Sequence, residues 1–441
     1  MRTLKNKNKN KINIVTLGCS KNTVDSEYLI AQLAGNSFEV VHNSSDRSAG
    51  TVIINTCGFI REAKEESINT ILDFVHAKKA GIIDRLFVFG CLAERYITEL
   101  RDEIPEVDSF FGVKNLKDIV KAIGGDFRDS LLGDRIITTP SHYAYIKISE
   151  GCNRHCSFCA IPLIRGKHIS EPVEKLVEQA RKSAAGGVRE LIVVAQDSTY
   201  YGLDLYKKRR IADLLNRLSE VPGIEWIRLH YAYPASFPDD LIYAIRDNPK
   251  ICKYLDIPFQ HISDGVLGKM RRGITGKETY SFIERIRKEI PSLALRTTIM
   301  VGHPGETEKA FNELKQFVED IRFERLGVFP YSAEEGTFSA LNFKDSISNV
   351  RKMERADEIM SIQNRISGEM NSAKKHRRMK VIIDRIENGF VIGRSEHDSP
   401  EIDQEILIEK TGTDPCPGDF TEIEIIDTDD YDLYARISKP E

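Results

Sequence analysis

Short runs of β-branched and aliphatic residues alternate with amphipathic stretches through the first 140 residues of the chain. The runs at residues 12–17, 51–55 and 86–89 are typical of buried strands, and the stretches near residues 25–33 and 62–79 are typical of helices. Strands that alternate with helices of this length usually form a parallel sheet with helices on both faces. The pattern therefore predicts a doubly wound α/β domain, which we place at residues 12–134.

A longer series of the same kind follows. Strand patterns recur at residues 143–149, 191–195, 226–230, 254–258, 293–300 and 325–330, with helical segments between them. Such a series predicts a full or partial parallel β/α barrel, placed at residues 141–372. A long amphipathic helix is predicted at residues 349–370, and we expect its apolar stripe, which includes Val350 and Met353, to face the core.

The spacing of polar and apolar residues changes near the end of the chain. Residues 381–386, 389–393, 405–409 and 422–426 alternate polar with apolar side chains, and turn signals such as Glu-Asn-Gly and Pro-Gly-Asp separate them. This pattern predicts a small antiparallel β-barrel at residues 373–441. The first eleven residues are basic and lead into no long apolar run, so a disordered leader is predicted at residues 1–11 rather than a secretory signal.

Composition narrows the classes that the chain can belong to. It has 441 residues, of which 41% are hydrophobic and 29% charged, as in an ordinary globular protein. No apolar run approaches the roughly 20 residues that a helix needs to cross a bilayer. Eight cysteines are too few for a disulfide scaffold, so we expect a cytoplasmic protein, where grouped cysteines more often bind metal.

The net charge of −4 hides a reversal of sign along the chain. Residues 380–441 hold six basic and 17 acidic residues, a net charge of −11, which leaves 57 basic and 50 acidic residues, or +7, for residues 1–379. A reversal of this size marks a separate module with a different partner surface. The alternative is that the acidic face only aids solubility.

Three cysteines form a close motif directly after the first strand of the second domain. Cys152, Cys156 and Cys159 have the spacing C-x3-C-x2-C within ISEGCNRHCSFCAIP. Soft thiolate ligands suit iron–sulfur clusters, and three of them can hold three irons of a [4Fe–4S] cube while the fourth iron stays open to an outside ligand. A zinc site, or three unrelated loop cysteines, remains the alternative.

Three further cysteines are spread over more than seventy residues. Cys19, Cys57 and Cys91 each fall one or two residues beyond a predicted parallel strand, in GCSKN, NTCGF and FGCLA. Because ligands bind at the carboxyl ends of the strands in open α/β sheets, we expect these thiols to converge at one edge. The alternative is that each is a small buried apolar residue, as free cysteines often are.

The first motif resembles that of the radical S-adenosylmethionine superfamily, with Phe158 at the aromatic position of C-x3-C-x-(aromatic)-C. The resemblance implies a cluster on Cys152, Cys156 and Cys159 whose open iron is chelated by S-adenosylmethionine. It also implies that the reduced cluster cleaves S-adenosylmethionine to methionine and a 5′-deoxyadenosyl radical. The cofactor then performs the radical step, while the protein supplies binding and excludes water.

The longer segments LGCSKNTVDSE, INTCGFIREAKEES, FGCLAERY and EGCNRHCSFCAIPLIRG resemble the methylthiotransferase branch of that superfamily. The resemblance implies a flavodoxin-like N-terminal domain with a second [4Fe–4S] cluster on Cys19, Cys57 and Cys91. It also implies a central radical S-adenosylmethionine partial barrel and a C-terminal barrel called the TRAM domain. The two clusters and S-adenosylmethionine are therefore the expected cofactors.

The substrate branch is indicated by the sequence around Cys19. The tRNA-modifying branch typically has Gly-Cys-Gln-Met-Asn there, whereas this chain has Gly-Cys-Ser-Lys-Asn, which resembles the branch that modifies an aspartate of ribosomal protein S-twelve in the small subunit. VAQDSTYYG, RLHYAYP, YLDIPFQH, VGHPGETE and GRSEHDSPEID also match this branch. Ser20, where proline is usual, and His303, where phenylalanine is more usual, depart from it.

These features together predict an enzyme that adds a methylthio group to the β-carbon of that aspartate. A basic ribosomal protein suits an acidic docking face, whereas a surface that binds tRNA needs cationic groups. We expect a monomer that receives electrons from reduced flavodoxin or ferredoxin and contacts no membrane. A tRNA adenosine methylthiotransferase and a non-catalytic iron–sulfur carrier or ribosome-assembly factor are the alternatives.

Three residues at or near strand ends of the barrel are candidates for contact with S-adenosylmethionine or the substrate. Gln196 and Asp197 follow the second barrel strand, and Arg296 lies in the fifth. Barrel enzymes place functional groups at the carboxyl ends of their strands. A structural role in the loops is the alternative for each.

Overall fold

A computed structural model of the chain describes residues 8–45, 48–131, 133–410, 412 and 414–438. They form two compact units. The first runs to Thr139 and also includes Glu150–Asn153 and Ala160–His168, and the second comprises Pro140–Ser149, Arg154–Cys159 and the chain from Ile169 onwards. The central sheet and the C-terminal barrel thus belong to one unit.

The first unit is a five-stranded parallel sheet with helices on both faces, which confirms the predicted α/β class. The strand order is β2-β1-β3-β4-β5. In chain order its elements are β1 (Asn8–Thr16), α1 (Ser20–Gly35), β2 (Glu39–His42), β3 (Ala49–Thr56), α2 (Arg61–Lys79), β4 (Arg85–Gly90), α3 (Cys91–Glu103), β5 (Ser109–Phe111) and α4 (Leu116–Ile123).

The burial of β3 shows that this sheet is covered on both sides. All eight residues of β3 are buried, as expected for a central parallel strand. Val52 and Ile54 pack into one hydrophobic cluster and Ile53 into another. Successive side chains of β3 thus point to opposite faces of the sheet and contribute to two separate cores.

The predicted disordered leader is wrong for residues 8–11. These residues belong to β1, since Asn8 pairs with Ala49 of β3 and Lys11 pairs with Glu39 of β2, whose carboxylate also lies 2.9 Å from the Lys11 ammonium. Pairing with strands distant in sequence outweighs the polar local composition. Residues 1–7 lie outside the described residues.

The edge strands β2 and β5 were not predicted from the sequence, because they are only four and three residues long.

The second unit begins with an open six-stranded parallel sheet, the partial form of the predicted barrel. Its strand order follows the chain, β6-β9-β10-β11-β12-β13. In chain order the elements from residue 143 onwards are β6 (Tyr143–Lys147), β7 (Ser149–Glu150), α5 (Ile161–Ile164), β8 (Ile169–Ser170), α6 (Val173–Ala185), β9 (Glu190–Val194), α7 (Leu203–Tyr206), α8 (Ile211–Ser219), β10 (Trp226–Leu229), α9 (Asp239–Asp247), β11 (Ile251–Asp256), α10 (Asp264–Met270), α11 (Gly276–Glu289), β12 (Ala294–Val301), α12 (Glu308–Ile321), β13 (Arg325–Pro330), α13 (Phe338–Asn342) and α14 (Asn349–Ser372). Of these, α5 and the second residue of β7 belong to the first unit.

The apolar stripe predicted for α14 is wrong at its beginning. Val350 and Met353 are 70% and 53% exposed, while Lys352 and Arg355 take the buried positions. Lys352 pairs with Asp345 at 2.6 Å and Arg355 pairs with Glu306 at 2.6 Å. Charged side chains can face the core here because each meets a carboxylate there.

The C-terminal strands close into a five-stranded barrel, as predicted. They are β14 (Arg378–Glu387), β15 (Phe390–Ser395), β16 (Ile406–Glu409), β17 (Phe420–Thr428) and β18 (Leu433–Ile437), in the barrel order β14-β15-β16-β18-β17. Four of the strand pairs are antiparallel, as predicted, whereas β16 and β18 run parallel. No described helix is both long enough and apolar enough to span a bilayer.

Two cysteine sets as candidate metal centres

The first cysteine set lies at the carboxyl edge of the N-terminal sheet. Cys19 precedes α1, Cys57 follows β3, and Cys91 is the first residue of α3, directly after β4. Because β1, β3 and β4 are neighbours in the sheet, the three thiols end up on adjacent loops. The fold thus brings together residues that lie 72 positions apart in the sequence.

Two glycines allow these loops to pack closely. Gly18 has a φ of +88°, and a Cβ there would lie 2.5 Å from the Cβ of Cys57 and 2.8 Å from its Sγ. A Cβ at Gly58 would lie 2.7 Å from the backbone nitrogen of Leu92. The first loop therefore contacts the second, and the second contacts the third, at distances that a larger residue would prevent.

The electrostatic surroundings differ among the three thiols. Burial opposes ionisation of Cys19, but Lys21 and Arg165 lower its pKa below the usual value. Burial raises the pKa of Cys57, and it raises that of Cys91 to about 12. Cys19 also precedes the first turn of α1, a position that favours a thiolate.

The chemistry of this set is that of soft sulfur ligands, which iron–sulfur clusters take. All three cysteines are free thiols. Within the described ranges, no three His, Cys, Asp or Glu side chains are arranged to enclose one ion. In a cubane each thiolate binds a different iron, so its ligands stand further apart than those of a single ion. Three thiols on adjacent loops beside the cationic Lys21 and Arg165 are ligands that could hold an anionic cluster.

The second set lies on the loop between β7 and α5. Cys152 belongs to the first unit, where its N–H donates to the carbonyl of Gly166 at 3.0 Å. Cys156 and Cys159 belong to the second unit, where the N–H of Cys159 donates to the carbonyl of Cys156 at 3.1 Å. The Nη1 of buried Arg272 donates to the Sγ of Cys156 at 3.2 Å. A cation at this sulfur fits a thiolate ligand.

Phe158, between Cys156 and Cys159, packs into a small apolar cluster with Val266, Met270 and Ala310. Its ring meets the imidazole of His303 edge-on, at 6.3 Å between centroids. Burial lowers the pKa of His303 to about 4, so the imidazole is neutral near pH 7. Its Nε2 lies 3.0 Å from the Oγ of Ser339. His303, which stands where phenylalanine is more usual, therefore packs against Phe158 and supports the cysteine loop.

Asp197 and Gln196 follow β9 at its carboxyl end. The Asp197 carboxylate accepts a hydrogen bond from the Nε of Arg154, within the cysteine loop, at 2.7 Å, and another from the N–H of Thr199 at 3.0 Å. The Arg154 guanidinium also lies 4.0 Å from the centroid of the Tyr233 ring. Asp197 thus orients a neighbour of the cysteines, while Gln196 is half-buried beside it.

Arg296 lies in β12 and pairs with one carboxylate of the central sheet and one of the C-terminal region. Its Nε donates to the Oδ1 of Asp403 at 3.2 Å, and its Nη1 donates to Asp256 at 3.4 Å. Asp403 lies between β15 and β16 of the C-terminal barrel.

The sequence did not reveal the link between Arg296 and Asp403. It also did not reveal the arginines beside the cysteine sets, which are Arg154, Arg165 and Arg272. Arg154 and Arg165 lie inside the quoted cysteine segment, whereas nothing in the sequence near Arg272 marks it.

Three family models match consecutive parts of the chain. They are the uncharacterized protein family UPF0004 at residues 11–112, the radical SAM superfamily at residues 146–318 and the TRAM domain at residues 377–437. Among solved structures, the radical S-adenosylmethionine methyltransferase TsrM from Kitasatospora setae matches with a TM-score of 0.56 at 14% identity, over 75% of this chain and 74% of that one. This likeness shows the shared fold.

Curated relatives match nearly the whole chain. The ribosomal protein uS12 methylthiotransferase RimO of Bacteroides fragilis is 53% identical over 426 residues, 97% of this chain and 99% of that protein. The relatives of the same name from Christiangramia forsetii and Cytophaga hutchinsonii are 53% and 52% identical, each over 99% of this chain and over 96% and 99% of their own lengths. The chain belongs to the ribosomal protein uS12 methylthiotransferase family of radical S-adenosylmethionine enzymes.

Proposed function

We propose that this chain adds a methylthio group to the β-carbon of an aspartate in ribosomal protein uS12, the small-subunit protein S-twelve. The observation that carries the proposal is the identity of more than half of all residues over 97% of the chain with a relative of that name. The convergence of Cys19, Cys57 and Cys91 at one sheet edge supports it, since the family resemblance implies a second cluster on these three cysteines.

The proposal assigns one [4Fe–4S] cluster to each cysteine set. When bound, the cluster on Cys152, Cys156 and Cys159 would supply reductive cleavage of S-adenosylmethionine for hydrogen abstraction from the aspartate, and the cluster on Cys19, Cys57 and Cys91 would present the sulfur, whose methyl group comes from another S-adenosylmethionine. Arg272 neutralises charge at Cys156. Phe158, Gln196, Asp197 and Arg296 stay proposed contacts of S-adenosylmethionine or the substrate. Hydrogen abstraction needs no acid–base pair, so none is assigned.

We also propose where the enzyme acts, its oligomeric state, its electron donor and the surface that binds its substrate. We place it in the cytoplasm as a monomer that is reduced by flavodoxin or ferredoxin, with domains at residues 12–134, 141–372 and 373–441. The acidic C-terminal barrel is the proposed docking face for uS12, because ribosomal proteins are basic and charge complementarity favours their association. Residues 380–441 carry a net charge of −11, which would repel the phosphates of tRNA.

The deciding experiment offers both substrates to the same enzyme. Enzyme reconstituted anaerobically with iron and sulfide is reduced and incubated with S-adenosylmethionine and either uS12 or tRNA, and mass spectrometry identifies which gains a methylthio group. We expect modification of an aspartate in uS12 alone. Modification of tRNA alone would overturn the substrate. Failure to release 5′-deoxyadenosine under any condition would instead indicate a non-catalytic iron–sulfur carrier.

The matched control replaces one ligand of the cluster proposed on Cys152, Cys156 and Cys159. A Cys156→Ala variant should bind uS12 as the parent enzyme does but release no 5′-deoxyadenosine. The loss would show that turnover depends on that cysteine and not on a contaminating enzyme.

A further inference from the structure

Arg165 is a buried cation that the proposed reaction leaves without a role. It follows α5, six residues after Cys159, and is 1% exposed. Burying a guanidinium costs free energy unless carboxylates or other acceptors surround it. The partners of Arg165 therefore indicate its role.

Two carboxylates from distant parts of the sequence share this guanidinium. The Nη1 of Arg165 lies 3.0 Å from the Oδ2 of Asp25 and 3.0 Å from the Oε2 of Glu150. Asp25 lies on α1, which begins directly after Cys19, and Glu150 stands two residues before Cys152. One side chain thus connects the segment that carries Cys19 with the segment that carries Cys152.

The other end of the guanidinium meets Asn22, which contacts all three loops of the first cysteine set. The Nη2 of Arg165 donates to the Oδ1 of Asn22 at 2.7 Å. The Nδ2 of Asn22 donates to the carbonyl of Leu17 at 2.8 Å and to that of Thr56 at 3.1 Å. The Sγ of Cys91 lies 3.8 Å from the same Oδ1. Leu17 and Thr56 stand just before Cys19 and Cys57, so Arg165 holds the carboxamide that joins the three loops.

The segment around Arg165 also supports Cys152. The N–H of Cys152 donates to the carbonyl of Gly166, the next residue after Arg165, at 3.0 Å. Gly151 has a φ of +74°, and a Cβ there would lie 2.6 Å from the same carbonyl oxygen. The backbone beside Cys152 is therefore packed directly on the residue that follows Arg165.

The charge of Arg165 complements the ligands near it. Three thiolates and the cluster that they hold are anionic, and Arg165 interacts electrostatically with Cys19, Cys57 and Cys91. Lys21 supplies a second buried cation beside Cys19. Asp25 and Glu150 keep the Arg165 guanidinium charged and in place, although burial alone would disfavour its charge.

We propose that Arg165 is a positioning residue for the cysteine set of the first unit: it balances the charge of the cluster on Cys19, Cys57 and Cys91 and ties that site to the segment of Cys152. The inference rests on the proposed function, because it assumes a cluster at the first set. Arg165 acts through Asn22, Asp25 and Glu150, and no direct bond to iron is assigned to it.

The test isolates the first site in the full-length chain. With Cys152, Cys156 and Cys159 replaced by alanine, only the first set can hold a cluster, and Arg165→Gln and Arg165→Lys are introduced into this background. Iron per folded chain, iron retention against a chelator, the electron paramagnetic resonance spectrum and the midpoint potential of the reduced cluster are measured. None of these depends on uS12 or on turnover.

We expect R165Q to weaken iron retention by about 10-fold to 100-fold, the usual cost of losing a residue that supports a metal ligand. Its midpoint potential should fall, because loss of a nearby positive charge disfavours the more negative reduced cluster. R165K keeps the charge but not the fork of the guanidinium, so its potential should stay close to that of the parent while its retention falls less.

Arg135→Gln is the matched control, since Arg135 forms a buried ion pair with Glu27 of α1 at 3.3 Å in the same unit. It should lower thermal stability without changing iron retention or potential. If R165Q matches R135Q in both iron properties, Arg165 is a structural residue only and the inference is wrong. If the parent background binds no cluster, the two-cluster part of the proposed function fails first.

Discussion

The guanidinium of Arg296, in the central sheet, donates a hydrogen bond of 3.2 Å to the carboxylate of Asp403, in the C-terminal barrel. The side chain of Asp403 is 2% exposed, and it also accepts a hydrogen bond of 2.8 Å from the hydroxyl of Tyr254. A residue that the sequence marks as a candidate for cofactor contact is thus also part of the attachment between sheet and barrel.

Replacing Asp403 by alanine should loosen that attachment. Arg296 and Tyr254 lose a shared acceptor, and removing one partner of a buried ion pair costs about 3 kcal/mol. The single tryptophan, Trp226, packs edge-on against Phe420 of the barrel with 4.8 Å between centroids, so its fluorescence reports on this contact during urea unfolding. Glu387→Gln, at an exposed pair with Arg385, is the control and should change stability by less than about 0.5 kcal/mol. Equal effects of the two substitutions would contradict the expectation.

Asp398 should make this unit sensitive to acid. Burial opposes its ionisation, but Arg325 and Lys374 lower its pKa to about 2 in the folded state, against an ordinary 3.8. Because the folded pKa is depressed, the stabilisation is complete above the unfolded value near 3.8 and is lost as the pH falls through about 2. The shift corresponds to about 2 kcal/mol.

The measurement is the free energy of unfolding between pH 6 and about pH 2, followed by Trp226 fluorescence. Asp398→Asn should lower stability at pH 6 and flatten its dependence on pH, since the titrating group is gone. A slope equal to that of the parent chain would show that other carboxylates dominate.

Single Cys→Ser substitutions should separate the two clusters by iron content. We expect about eight irons per reconstituted chain, and about four after Cys57→Ser or Cys156→Ser, because each removes a ligand of one cluster. Cys416→Ser is the control, since Cys416 is exposed and belongs to neither set. Four irons in the parent chain, unchanged by Cys57→Ser, would leave the first set without a cluster.

Alkylation of the apoprotein should rank the thiols of the first set. Cys19, whose pKa is lowered by Lys21 and Arg165 against the effect of burial, should react with iodoacetamide near pH 7. Cys91, whose pKa is raised to about 12 by burial, should stay unmodified below pH 9. Peptide mass spectrometry over a pH series gives the rates, and a Cys91 that reacts as fast as Cys19 would contradict this ranking.

Charge reversal on the barrel should weaken docking of uS12. Glu409 and Glu422 are exposed acidic residues of this module, and replacing both by lysine should raise the KM for uS12 and reduce its dependence on salt. Glu313→Lys, an exposed reversal on α12, is the control and should leave KM close to that of the parent chain. An unchanged KM in the double variant would show that the acidic surface serves another purpose.

Local sequence patterns determined much of the fold and the position of each cysteine relative to its strand. The strands β1, β3 and β4 each contain a short apolar run, and Cys19, Cys57 and Cys91 lie within three residues of their ends. Parallel strands align their carboxyl ends, so the convergence of these thiols could be predicted without coordinates. The motif around Cys152 needed no structure at all, since its spacing is a property of the chain.

The tertiary structure alone decided which distant groups meet. The link of Arg165 to Asp25 spans 140 residues, that of Arg272 to Cys156 spans 116, and that of Arg296 to Asp403 spans 107. The exposure of Val350 and the burial of Lys352 likewise depend on partners that no local pattern specifies. Hydrophobic periodicity acts over a few residues, whereas a buried charge is placed by whichever opposite charge the completed fold brings to it.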